Sequence, residues 1–207
     1  KATLLFDNGK ITAVGTGFGL PQNCQVISIK GKHVFPGMLD AYTNMGLVEI
    51  NAVRASRDEN ETGTFNPNVR AEVAVNPDSE IIPTTRSNGV LLCLAAPSGG
   101  TVSGRSAVLQ LDGWTYEDLT IRSAAGLHIN WPLMAVVSDW WVTSSAKEQI
   151  ASRENLLAKL EEQFATARRY NNARQDNPDT LVDMKWESMR AVLAGDVPII
   201  VNANNAD

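Results

Sequence analysis

The stretch HVFPGMLDAYTNMG, residues 33–46, sets the reading of the whole chain. Its apolar run from Val34 gives way to polar residues at Asp40, Tyr42 and Asn44. That is the pattern of a buried parallel strand whose C-terminal end carries function. Two later stretches repeat it: GVLLCLAAPSGG at 89–100, and VPIIVNANNAD at 197–207, which contains Asn202. The apolar runs predict parallel strands over 34–42, 89–96 and 197–202, all running in one direction.

On the N-terminal side, ATLLFDNGKITAVG is two short apolar runs around Asp-Asn-Gly. Asn and Gly tolerate positive φ, so this is a hairpin signal. CQVISIKGKHVFPG reads as a second strand-turn-strand with Gly31 in the turn. So few strands close no core alone and are expected to join a sheet completed elsewhere. On the C-terminal side, residues 44–87 form a long polar segment, and connections of that length are functional loops or insertions.

Two helices follow. The first opens at Ser145, where Ser145 and Glu148 form a capping box. Ile150, Leu157, Leu160, Phe164 and Ala167 then recur at helical spacing as a core-facing stripe. The second is expected to start at Asn177 as N-cap with Pro178 at the first helical position. It should bury Leu181, Met184 or Trp186, Met189 and Leu193, and end at Gly195 before Pro198. A helix delivering the chain to an apolar strand at Val197 completes an α/β unit.

Composition narrows the function. The chain has 207 residues, 43% hydrophobic and 20% charged, with a net charge of −5, enough for one large domain or a domain and a half. An acidic chain without a Lys/Arg run or a basic face with interleaved aromatics argues against nucleic acid as a partner. No apolar stretch approaches the roughly 20 residues needed to span a bilayer, so no membrane partner is expected. Cys24 and Cys93 stand apart in apolar surroundings, as two buried thiols or, alternatively, one disulfide. The chain begins at Lys1, which implies a removed leader or a trimmed chain and leaves the compartment open.

Several motifs are absent or plain. There is no nucleophile elbow, P-loop or dinucleotide fingerprint. APSGGTVSGRSA lacks the lysine that phosphate cradling needs and reads as a tight loop at a rim. Asn60-Glu61-Thr62 fits a glycosylation pattern that occurs often by chance. WPLMAVVSDWW brings three tryptophans together, as a core or interface patch ahead of a ligand-stacking platform.

A β-rich leader followed by GKHVFPGMLDAYTNMG resembles the start of amidohydrolase-superfamily enzymes of the imidazolonepropionase and dihydroorotase type. NPDSEIIPTTRSNGVLLCLAAPSGGTVSGRSAVLQLDG resembles that family's second barrel strand and the glycine-rich loop after it. GDVPIIVNANNAD resembles the later strand that normally reads Pro-x-x-x-His-Ala. The resemblance implies an α/β fold: the N-terminal portion of a TIM-type (β/α)8 barrel over residues 34–207, preceded by an incomplete antiparallel β-sandwich segment over 1–33. It also implies the family activity, metal-dependent hydrolysis of C–N bonds other than peptide bonds, with zinc or another divalent metal.

The departures from that pattern are chemical. Asp40 stands at the family's motif aspartate, but Tyr42 and Asn44 stand where the first strand carries its two histidines, and Asn202 where a later strand carries a third. The family's metals turn water into hydroxide near neutral pH. A neutral amide oxygen is a poor zinc donor, and a phenol ordinarily keeps its proton at pH 7. The chain's only histidines are His33 and His128, and both read as satisfied structural residues away from the ligand positions.

The resemblance therefore implies no catalytic residue and no cofactor in this chain. Instead, Tyr42, Asn44 and Asn202 are expected to form a polar, uncharged pocket floor at the barrel mouth that takes a small polar ligand, with Asp40 beside them holding the strand end or bonding to Tyr42 and Asn44. A whole barrel needs about 250 residues, so a second polypeptide or C-terminal fragment is expected to complete it. The expected function is a histidine-depleted, non-catalytic partner or ligand-binding subunit. The alternative is part of an active cyclic-amide hydrolase whose metal ligands come from the missing half or a partner chain.

Overall fold

The computed structural model describes residues 2–203. The chain divides into two compact units, residues 1–36 and 37–207. In the first, β1 (Thr3–Asp7) and β2 (Lys10–Gly15) pair antiparallel. Asn8 and Gly9 take φ of 49° and 73° between them, the left-handed pair that a two-residue hairpin loop demands.

The second expected strand-turn-strand does not form. Its turn is present, with Gly31 at φ 82° and the Lys32 amide donating to the Ile29 carbonyl at 2.9 Å. The flanking residues make no ladder among the described residues, and Val26, Ile27, Val34 and Phe35 lie exposed. Apolar alternation prepares a segment to pair, but a strand exists only where a partner supplies the opposing hydrogen bonds.

The second unit is built on five strands in the order β3-β4-β5-β6-β7. These are β3 (Met38–Thr43), β4 (Val90–Ala95), β5 (Val102–Gln110), β6 (Thr120–Asn130) and β7 (Ile199–Asn202). β3 starts at Met38, later than the expected Val34. Pro36 has no N–H to give a ladder, and Gly37 passes so close to Leu91 that any Cβ there would collide with its side chain.

β3 pairs parallel with β4, and β6 parallel with β7, while β5 runs antiparallel to both β4 and β6. The three strands read from sequence therefore do run in one direction. Strict strand-helix alternation is broken, however, because β5 and β6 intervene between the second and third of them. The second half of the glycine- and serine-rich stretch is β5 rather than loop. Ser103 and Ser106 are buried there because β5 lies between two neighbours that satisfy its backbone on both edges.

Helices cover the sheet in two clusters. Met45, Leu47, Cys93, Ala107, Leu109 and Leu119 pack with residues of α1 (Ala71–Ala74) and α2 (Ile81–Ser87). Phe65, Val102, Leu127 and Ile129 pack with residues of α4 (Ala146–Asp176) and α5 (Met184–Ala194). The polar segment 44–87 thus contributes core through Met45, Leu47, Phe65, Ala71 and Ile82, and is not wholly loop. A short α3 (Tyr116–Leu119), closed by a Thr115–Asp118 capping box, joins β5 to β6.

α4 starts at Ser145 with both hydrogen bonds of the expected capping box. It then continues for 31 residues, so that Asn177 is its C-cap, not the N-cap of the next helix. α5 starts instead at Asp183, whose carboxylate accepts from the Lys185 and Trp186 amides, and ends at Gly195 with φ 84°. The later start leaves Leu181 and Met184 exposed, while Met189 is fully buried as expected. No described helix is long and apolar enough to cross a membrane.

Candidate functional site at the strand ends

The C-terminal ends of β3, β4, β6 and β7 lie on one side of the sheet because these four strands run the same way. On a flat sheet β3 and β6 would stand three strand spacings apart, about 14 Å. Instead the Tyr42 ring on β3 meets the His128 ring on β6, with centroids 5.6 Å apart and planes at 46°. The sheet is curled, and Tyr42 and His128 face each other across the hollow.

Side-chain period two places Gly126, His128 and Asn130 on one face of β6. Register with β7 sets His128 beside Ile200 and Asn130 beside Asn202. Asn202 Nδ2 donates to Asn130 Oδ1 at 3.1 Å. Asn130 Nδ2 in turn points to Gly100 O at 2.8 Å, Ser103 Oγ at 3.0 Å and Gly99 O at 3.4 Å. The glycine-rich loop after β4 is therefore the hub of the rim. Gly99 holds φ 80°, and a Cβ on it would collide with the Asn60 side chain, which accepts from Ser98 Oγ at 2.8 Å.

Asn44 reaches the same hub from the other side. Its amide donates to Glu59 Oε2 at 3.2 Å, and the Glu59 carbonyl accepts from the Ser98 amide at 2.8 Å. Arg57 donates to Glu59 Oε1 at 2.8 Å. That hydrogen bond is the main cause holding the Glu59 carboxyl below the ordinary range; burial opposes it and Asn44 reinforces it. Glu59 and Asn60 also line an open groove of about 380 Å³ that runs past Asp58, Glu61 and Arg70.

Of the four residues singled out from sequence, Asn44 and Asn202 are joined through this loop rather than directly. Tyr42 turns to His128, and Asp40 takes a long hydrogen bond from the Tyr42 amide at 3.4 Å. Asp40 is also in register with Cys93, whose thiol burial pushes up to about 11, with the Asp40 charge adding to the effect. Cys93 is thus a core residue and no nucleophile. Both cysteines are free.

His128 overturns its sequence-based reading. It is fully buried, and neither ring nitrogen has a hydrogen-bond partner among the described residues. Burial lowers its pKa to about 4, so the ring is neutral at pH 7, with one donor and one acceptor unmet. Sequence reading also missed Asn130, Ser103 and Glu59, since none stands in an apolar run that ends in polar residues. The one usable signal was the polar pair His128 and Asn130 inside GLHIN.

Compared with family models and with curated proteins, the chain matches none. Among solved structures, a crystal structure of an amidohydrolase from Thermotoga maritima MSB8 matches with a TM-score of 0.79 at 24% identity, covering 99% of this chain and 54% of the other. The shared fold is an amidohydrolase fold. The chain spans about half the length of that solved structure. Within the described part of this fold, no group of three or more His, Cys, Asp or Glu side chains is placed to hold a metal ion.

Proposed function

We propose that this chain is a histidine-depleted relative of the amidohydrolase superfamily, of imidazolonepropionase-like type. In this reading its strand-end mouth binds a small polar ligand without hydrolysing it, as a ligand-binding or partner subunit. The observation that carries the reading is the state of the amides at the ligand positions. Asn44 is bound to Glu59 and Asn202 to Asn130, so both are occupied in a rim network.

A divalent metal does not fit this donor set. Zinc takes thiolate, imidazole and carboxylate ligands, usually four together. Here the candidates are one carboxylate, Asp40, one phenol, Tyr42, and one neutral imidazole, His128, whose ring packs at a tilt against that of Tyr42. The rim instead offers amide and hydroxyl donors and acceptors beside the Arg57–Glu59 pair, and such groups orient a polar ligand in a concave site. The rest of the fold comes from a further stretch of polypeptide or a partner chain, in keeping with the half-length match.

Metal analysis of the purified natural polypeptide tests the reading. Zinc, manganese and iron should each be well below one equivalent after purification without chelator, and added zinc should leave the melting temperature unchanged. One equivalent of a transition metal retained through purification would favour the other reading, a working hydrolase of cyclic amides whose ligands come from the remaining half.

A further inference from the structure

Residues 131–144, WPLMAVVSDWWVTS, contain a single charged residue, Asp139, against 20% charged in the whole chain. They form neither helix nor strand and follow β6 directly at the strand-end rim. A near-neutral loop in water normally turns its large apolar side chains inward. This one does not: Trp140 is 92% and Trp141 61% exposed, and Leu133, Met134 and Val136 are exposed with them.

The loop's backbone is pinned. The Gln149 side chain accepts from the Val137 amide at 3.0 Å and donates to the Val137 carbonyl at 2.8 Å, as a neighbouring strand would. It also donates to Ser144 O at 3.1 Å, and Arg153 donates to Met134 O. At the loop's start, the Trp131 amide donates to the Asn202 carbonyl at 2.9 Å. The loop is thereby continuous with the end of β7, an edge strand whose Ile199 and Val201 are 43% and 51% exposed.

We propose that this aromatic loop is an interface for the polypeptide that carries the rest of the fold, the same one that pairs with the free edge of β7. The inference rests on the proposal above that such a polypeptide exists. Three features favour that occupant: the match to only 54% of a longer chain of the same fold, the loop's hydrogen bond to Asn202, the last residue of the edge strand β7, and a composition of Trp, Met and aliphatic residues nearly without charge. Interface cores are enriched in aromatics and Met and depleted in charge.

Hydroxyl-radical footprinting of the natural full-length polypeptide tests this, with Trp114 as internal reference because it is 86% exposed on the turn after β5. Trp140 and Trp141 should oxidise at least tenfold more slowly than Trp114. Hydrogen exchange on the same sample should find the amides of β7 that alternate away from β6 protected. Slow amides with fast Trp140 and Trp141 would overturn the interface and leave the completed fold standing. Fast amides would overturn the completed fold itself, and protection of the tryptophans that disappears on dilution would assign the loop to contact between copies of this chain.

Discussion

His128 is enclosed as a neutral base with both nitrogens unmet among the described residues, and each missing bond costs roughly 1–3 kcal/mol. Its pKa falls from 6.5 to about 4 through burial. Above pH 6.5 the ring is neutral in both folded and unfolded chains, so no stability is lost there. As the pH drops from 6.5 toward 4, the unfolded chain takes up the proton and the folded one does not, so stability falls by about 1.4 kcal/mol per unit. The expected loss is about 3 kcal/mol over that window, levelling off below it. Denaturant unfolding of the natural full-length polypeptide from pH 8 to pH 4 should record this slope, and His128→Phe should flatten it. An unchanged slope in the variant would place the titrating group elsewhere.

At the level of elements, the loop after β4 is where a backbone requirement and the site coincide. Gly99 is left-handed and abuts Asn60, while the Gly100 carbonyl accepts from Asn130. A Cβ at Gly99 adds conformational strain of about 1–3 kcal/mol and must push Asn60 away from Ser98. Gly99→Ala should therefore lower the unfolding free energy of the natural full-length polypeptide, read from chemical denaturation, by that amount. It should also loosen the Asn130–Asn202 pair, read as faster exchange of the side-chain amides of both residues. A neutral substitution would mean that the loop relaxes without the glycine. The helices behaved differently. The Ser145 box starts α4 as a local signal should, whereas Asn177-Pro178 lost its role because the preceding helix kept its Leu160–Ala167 packing and ran on to Asp176.

For the molecule as a whole, the five-stranded sheet has two free edges among the described residues, β3 and β7. Both show large apolar side chains to solvent, including Met38, Leu39, Ile199 and Val201. Each such side chain forgoes up to about 1.5–3 kcal/mol of burial, and unpaired edges recruit other strands. Residues 1–207 expressed alone should associate or lack a cooperative melt, by light scattering and calorimetry. A monodisperse monomer with a sharp transition would show that the curled sheet is self-sufficient and would remove the ground for a completing polypeptide.

Sequence by itself determined the features whose causes are local. The Asn8-Gly9 turn, the Ser145 cap and the Gly195 stop all follow from a few adjacent residues. It also placed Tyr42 and Asn202 at strand ends and Asn44 just past one, since an apolar run that turns polar marks where a strand stops. Tertiary structure alone decided the rest. Whether 24–36 became strands depended on a partner that the described residues do not provide, and β5 and β6 exist because each satisfies the other's backbone across bulges that blur any sequence period. The meeting of Tyr42 with His128 depends on the curl of the four strands from β3 to β6, a property of no single segment. A side chain's chemistry is written in the sequence, but its neighbours are set by how strands separated by tens of residues come to lie together.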